Sequence, residues 1–361
     1  MGNNSSAAAR ETAITGCLLG TAVGDAIGLP CEGLSKRRAR KVFPEPFRQR
    51  LLFGKGMTSD DTEHTCMVAQ ALIRSAGDTD IFVRHLAWRL RLWLLALPAG
   101  VGFATLRAIL KLWVGFPPDK SGVFSAGNGT AMRSAIIGVC YGGQPDKMRA
   151  LVRASSRLTH TDPKAEYGAL AVALAAAFAS RKEMIEPALF VSSLEQTLAA
   201  QSGGAEFVEL VRGAAASVTR GETTEQFAAL MGLPGGVSGY VYHTVPVALH
   251  AWLGHQADYR QAVSSVVRCG GDTDTTAAIT GAITGAGTGE SGIPLEWLSN
   301  MTDWPCTISW IRSLGRQLGE VTAGKQAAKP ISLPFPAVLI RNMLFLPIIV
   351  AHVLRRLLPP Y

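Results

Sequence analysis

Two short segments concentrate oxygen ligands: Thr58-Ser59-Asp60-Asp61-Thr62-Glu63, and Gly270-Gly271-Asp272-Thr273-Asp274-Thr275-Thr276. Carboxylates and hydroxyls are the hard donors that Mg²⁺ or Mn²⁺ select. Each segment also stands just before an apolar, helix-patterned stretch, where Ser, Thr and Asp commonly serve as N-caps. Capping needs one acidic group per helix, whereas these segments carry adjacent or alternating pairs. Four carboxylates brought together repel one another unless cations neutralise them. A shared metal site is therefore expected, and no EF-hand spacing directs it to calcium.

Three further elements carry candidate chemistry. Glu32 lies in Gly24-Asp25-Ala26-Ile27-Gly28-Leu29-Pro30-Cys31-Glu32-Gly33. The run Ser125-Ala126-Gly127-Asn128-Gly129-Thr130-Ala131-Met132-Arg133 leaves backbone N–H groups uncovered before a helix, as a pyrophosphate cradle requires; Gly-Asn-Gly is also a common turn. His160, in Leu158-Thr159-His160-Thr161-Asp162-Pro163, is either a structural histidine or a site residue. Gly287-Thr288-Gly289-Glu290-Ser291-Gly292 fits G-x-G-x-x-G but follows a helix, so a Rossmann site is excluded. Walker A, H-E-x-x-H and nucleophile-elbow patterns do not occur.

The elements that must position these residues read as helices. Nearly half of the 361 residues are hydrophobic and only 17% are charged, enough to bury a large core. Ala and Gly are abundant and sustained period-2 alternation is missing, so an all-α fold is expected. Glu11 to about Gly28 and Thr275 to Gly287 are apolar and glycine-spaced, the pattern of inner helices whose backbones approach closely. Glu63 to Ala76 and Phe82 to Leu97 show helical stripes, and Tyr167 to Ala179 is apolar on every side. Loops are expected at Gly115 to Thr130, Ser202 to Gly204 and Pro234 to Gly239. The organisation that follows is a flexible leader over 1–10, one domain over 11–322, and a linker with an apolar tail over 323–361.

Charge and the termini bound the partners. The formal net charge is +8, and Lys36, Arg37, Arg38, Arg40, Lys41, Arg48, Arg50 and Lys55 crowd one segment opposed only by Glu45. Without a nucleic-acid fold or interleaved aromatics, stable nucleic-acid binding is not expected; a solvated face or an anionic docking surface is. Six scattered cysteines without metal spacing suit a reducing, cytoplasmic setting, and no secretory signal is visible. Met1-Gly2-Asn3-Asn4-Ser5-Ser6 fits the loose N-myristoylation pattern at Gly2. The apolar stretch Leu333 to Leu358 is broken by Pro334, Pro336, Arg341 and Pro347, so it is expected to lie on a membrane surface, on a partner or on its own domain.

Taken in order, these elements resemble the ADP-ribosylglycohydrolase family. The resemblance runs over most of residues 12 to 320, through Gly16-Cys17-Leu18-Leu19-Gly20, Gly24-Asp25-Ala26-Ile27-Gly28 with Glu32, Ser59-Asp60-Asp61-Thr62, Gly127-Asn128-Gly129 with Met132-Arg133, Thr159-His160, Gly239-Tyr240-Val241 with Thr244, and Gly271-Asp272-Thr273-Asp274-Thr275. It implies a compact orthogonal multi-helix bundle with a central dinuclear magnesium cleft, Mn²⁺ being a substitute. It assigns Ser59, Asp60, Asp61, Asp272, Asp274 and Thr275 to the metals, Ser59 standing where the family usually has Thr. It places Gly127, Asn128, Gly129, Met132, His160 and Tyr240 against the substrate. It further implies hydrolysis of the bond between ADP-ribose and a modified substrate, foremost protein arginine, with Glu32, Asp61 or Asp272 taking the proton of water; a monomer is expected. The alternative is a non-catalytic ADP-ribose-binding or blocking protein that keeps the fold.

Overall fold

The computed structural model describes residues 2–199, 201, 203–355 and 358–359, with side chains placed from residue 7. Met1, which opens the acylation pattern, and Ser202, at the head of one expected loop, lie outside the described residues. The described residues contain seventeen α-helices and four short 3-10 turns, with no strand among them. The chain is all-α.

Two helices form the axis of the core. The first, Gly2–Gly28, packs along an inner helix, Thr273–Thr288. Gly16, Gly20, Gly24 and Gly28 recur every four residues and so share one face of the first helix. A Cβ on Gly20 would sit 2.2 Å from the carbonyl oxygen of Gly281, and one on Gly24 2.2 Å from that of Ala277. These backbones touch because no side chain stands between them. The glycine spacing in both segments carried that expectation correctly. Residues 2–10, expected to be a flexible leader, are instead drawn into the first helix, where Arg10 donates to the carbonyl of Thr322 at 2.8 Å.

Around this axis stand Asp60–Ser75, Thr79–Leu95, Pro163–Ala179, Val241–Gly254 and Ile308–Thr322, with shorter helices between them. Pro163–Ala179 is buried almost all round, as its apolar sequence requires. The stretch after Gly127 forms a 3-10 turn, Asn128–Arg133, and then a helix, Ala135–Tyr141. The basic segment is partly helical over Lys36–Val42, and Lys36 and Arg40 both pair with Glu225.

The C-terminal stretch is more ordered than a linker and broken tail. Gln70 donates to the Ile331 carbonyl at 2.7 Å, and Ile331 N–H donates to Gln317 at 2.9 Å, pinning the connection to the body. One helix, Phe335–Arg355, then runs through Pro347. It and the buried first helix are the two described helices long and apolar enough to cross a membrane by length and composition.

Candidate metal and substrate site

The inner helix begins where the first helix ends, and this junction gathers the acidic segments. Thr273 Oγ1 donates to the Gly28 carbonyl at 2.8 Å, tying the two ends together. Gly33 N–H donates to the Gly271 carbonyl at 2.8 Å, and Gly271 N–H returns to the Leu34 carbonyl at 2.9 Å. Gly270 and Gly271 hold φ of 71° and 84°, a region where L side chains are strained. On the other side, Asp272 N–H donates to the Val237 carbonyl at 2.7 Å and Asn128 N–H to the Gly239 carbonyl at 2.9 Å. Four loops, around residues 33, 127, 238 and 271, are thus joined by single backbone bridges rather than by a sheet.

The Thr58–Glu63 segment reaches the same junction through Asp25. That fully buried carboxylate accepts from Ser59 N–H at 2.9 Å, Thr62 N–H at 3.3 Å and Thr62 Oγ1 at 2.5 Å. Burial lifts its carboxyl to about 7 against the lowering effect of those bonds. Asp25 was legible as part of a motif but not as the residue that shapes this turn. From behind, Asp303 accepts from Thr58 N–H at 2.8 Å and Thr58 Oγ1 at 2.6 Å, while Arg341 of the tail helix donates to the Thr58 carbonyl.

Capping explains only part of the acidic density. Ser59 is the N-cap of Asp60–Ser75 and accepts from Asp61 N–H at 3.3 Å. Asp272 holds the N-cap position of the inner helix but makes no capping bond with its side chain. Its Oδ2 instead accepts from Asn128 Nδ2 at 2.7 Å. Asp61 Oδ2 accepts from Ser59 Oγ at 3.1 Å and Thr275 Oγ1 at 3.2 Å, so both segments meet on one oxygen. Asp61 Oδ1 and Asp274 Oδ1 are buried and have no hydrogen-bond partner.

These acids strain against one another. Burial, then the charges of Asp25, Asp60 and Asp272, hold the Asp61 carboxyl well above the usual carboxylate range. Burial, then Glu32, Asp272, Asp61 and Asp25, do the same to Asp274. Asp60 is raised by burial, then by Glu63, Asp25 and Glu32. Orphaned carboxylate oxygens beside hydroxyls, in a mutually repelling cluster, are the donor set of a hard divalent cation. Among the described residues no three His, Cys, Asp or Glu side chains already stand closed as a cation cage. The fit rests on the orphaned oxygens and on the hydroxyls of Ser59 and Thr275.

The remaining expected residues divide. Gly127, Asn128 and Gly129 stand at the junction, partly exposed, with Tyr240 beside them across an antiparallel bridge between Gly127 and Tyr240. Asn128 is engaged with Asp272 and with Thr244 Oγ1 at 3.0 Å, so its amide serves the acid cluster. His160 lies buried behind the loop: a Cβ on Gly127 would stand 3.2 Å from its Nε2. Burial, then Arg133, depress it to about 3, which keeps it neutral. Met132, expected against the substrate, is a core residue whose carbonyl accepts from Thr65. It lies within the 3-10 turn Asn128–Arg133, which rotates it inward. Lys164, absent from the expected set, places Nζ 3.1 Å from Tyr240 Oη and over the Tyr242 ring. An apolar cavity of about 370 Å³, lined by Trp88, Trp93, Trp310 and Arg341, touches none of Glu32, Asp61, Asp272 or Asp274, so the chemistry is assigned to the polar junction.

Comparison with known proteins places the chain in a family. The family profile described as ADP-ribosylglycohydrolase matches residues 6–328. An uncharacterised protein of Archaeoglobus fulgidus is 32% identical over 81% of this chain and 92% of its own. ADP-ribosyl-[dinitrogen reductase] glycohydrolase of Rhodospirillum rubrum is 25% identical over 79% of this chain and 89% of its own. ADP-ribosylhydrolase ARH3 of Xenopus tropicalis is 27% identical over 84% of this chain and 95% of its own. A solved ADP-ribosylglycohydrolase-related protein complex superposes with a TM-score of 0.62 at 25% identity, covering 87% of this chain and 99% of that one. The chain belongs to the ADP-ribosylglycohydrolase family and is a hydrolase of glycosyl bonds.

Proposed function

We propose that this enzyme is magnesium-dependent and releases ADP-ribose from modified arginine side chains of proteins. The observation that carries the metal reading is the pair of buried, unpartnered oxygens, Asp61 Oδ1 and Asp274 Oδ1, in a cluster of acids that raise one another. Ser59, Asp60, Asp61, Asp272, Asp274 and Thr275 would hold the cations. When bound, divalent metal supplies charge neutralisation and lowers the pKa of water. A protein as the acceptor is supported by similarity to the Rhodospirillum rubrum glycohydrolase, whose name gives ADP-ribosylated dinitrogen reductase as its substrate; arginine is the linkage that the family resemblance favours.

The chain's own groups then have separable tasks. Asp25 and Asp303 fix the Ser59–Asp61 turn from two sides, so its carboxylates do not reorganise during reaction. Asn128 orients Asp272. Glu32, half-buried beside the cluster and electrostatically felt by Asp274 and Asp60, accepts a proton from the attacking water. The new C–O bond forms at the anomeric carbon as the C–N bond breaks, its electron pair and a proton leaving with the guanidine. The Gly127–Gly129 loop and the Tyr240 rim take the diphosphate end, with the Lys164 ammonium nearby to complement its charge.

The test presents ADP-ribosyl-arginine, ADP-ribosyl-serine and nucleobase-linked ADP-ribose in parallel with magnesium. Turnover of the arginine conjugate at least tenfold above the others supports the reading. Preference for the serine or nucleobase conjugate moves the substrate and leaves the metal assignment standing.

A further inference from the structure

The tail helix Phe335–Arg355 lies beyond the family-matched residues 6–328 and is built inside out. Its inward face carries Arg341, Asn342, Phe345 and His352, all buried. Arg341 bonds Asp303 and the Thr58 carbonyl, Asn342 donates to the Ala96 carbonyl at 2.8 Å, and His352 meets the Leu51 carbonyl. Its outward face is Ile340, Met343, Leu344, Leu346, Pro347, Val350, Val353 and Leu354, all exposed. A helix solvated on its outer side shows the reverse distribution. Here the polar side chains are spent on the protein, and an apolar strip roughly 22 Å long is left uncovered.

The ground beside this strip is basic. Phe345 packs with Leu29, Leu51 and Met57, which sets the tail helix against the segment that follows the basic run. Arg38 Nη2 donates to the Leu358 carbonyl at 3.1 Å, and the Arg355 guanidinium lies 5.9 Å from the Phe43 ring. Residues 36–55 hold eight Lys and Arg and one acid, Glu45, which is itself paired with Arg268, while Lys36 and Arg40 pair with Glu225 from outside the segment. Phe53, at the tip of this segment, is 99% exposed.

We propose that this face binds the surface of an anionic lipid bilayer, with the outward strip and Phe53 entering the headgroup boundary and the basic segment facing anionic headgroups. Apolar area and cationic charge on one face are what such binding requires. The helix lies on the bilayer rather than crossing it. Crossing would strip Arg341, Asn342 and His352 from their partners and bury them in hydrocarbon.

The test is flotation of the full chain with vesicles of pure phosphatidylcholine and of phosphatidylcholine with phosphatidylglycerol. Binding is expected to the anionic vesicles, to weaken as salt rises, and to fall roughly tenfold or more in Leu344→Glu/Val350→Glu. Both side chains are solvent-exposed, so the variant should keep the wild-type melting temperature and ADP-ribose release. Absence of flotation with anionic vesicles at low salt overturns the proposal. So does a dimer in solution that the same substitutions dissociate, since the strip would then be covered by a second copy.

Discussion

Arg341 on the tail helix and Asp303 form a doubly bonded ion pair, Nε to Oδ1 at 2.9 Å and Nη2 to Oδ2 at 2.8 Å, both side chains buried. The pair stands directly behind the acidic loop, because Asp303 also holds Thr58 N–H and Oγ1 while Arg341 holds the Thr58 carbonyl. Arg341 reaches Glu63 as well, at 3.2 Å. A residue outside the family-matched region therefore clamps the turn that presents Ser59, Asp60 and Asp61.

Removing that clamp acts on stability and on the site together. Arg341→Met leaves Asp303 and Glu63 buried without their cation, at a cost of about 3–5 kcal/mol. As a positioning residue, Arg341 is also expected to set metal affinity, so magnesium binding to the folded variant should weaken roughly 10–100-fold. Calorimetric titration of magnesium, with Arg341→Lys as a partial rescue, checks this. A lower melting temperature with unchanged magnesium affinity would confine Arg341 to a structural role.

The acid cluster makes opposite predictions with and without metal. In chelator, Asp61→Asn or Asp274→Asn removes a buried charge from among Asp25, Asp60, Asp272 and Glu32, and the melting temperature should rise by a few degrees. The neutral amide oxygen still accepts from Ser59 and Thr275 at position 61. With saturating magnesium, wild type gains about 2.7 kcal/mol at a hundredfold excess over Kd, and the variants gain little. Thermal melts in EDTA and in magnesium read both effects.

Asn128 is expected to act through Asp272. Its amide donates to Asp272 Oδ2 and Thr244 Oγ1, so Asn128→Ala frees the carboxylate to rotate. A loss of roughly 10–100-fold in kcat, with Asp272 still present, is the expected outcome. A change confined to KM for the ADP-ribose conjugate would instead place Asn128 on the diphosphate.

The glycine ridge gives a prediction on the fold. Gly20→Ala or Gly24→Ala puts a methyl group about 2.2 Å from a backbone oxygen of the inner helix, and backbone cannot yield as a side-chain tip can. The two helices must separate, at a cost of about 1–3 kcal/mol or more. Chemical denaturation measures it, and magnesium affinity should fall in step, since Gly28 and Thr273 close the same junction.

Local pattern made the helices, the glycine contact and both acidic turns legible, because each is written within a few residues of itself. Ser59, Asp61 and Thr275 do converge, on Asp61 Oδ2. What pattern could not carry was partnership across the chain. Arg341 and Glu63 are 278 positions apart, and Asn128 and Asp272 are 144 apart, with no periodicity linking them. Asp25 belongs to the Gly24–Gly28 motif, yet only its burial beside Thr62 shows that it supports the Ser59–Asp61 turn. The 3-10 turn that follows Gly127 turns Met132 into the core, which the local pattern does not show.

The central claim is that the acids joined at Asp61 work as divalent-cation ligands in glycosyl hydrolysis. Release of free ADP-ribose from an ADP-ribosyl-arginine protein, assayed in magnesium, after EDTA and after magnesium is restored, tests it most directly. The account predicts turnover that disappears with chelation, returns with magnesium, and is absent in Asp61→Asn and Asp274→Asn under every condition. Undiminished release in EDTA, or near wild-type turnover by either variant, would contradict it.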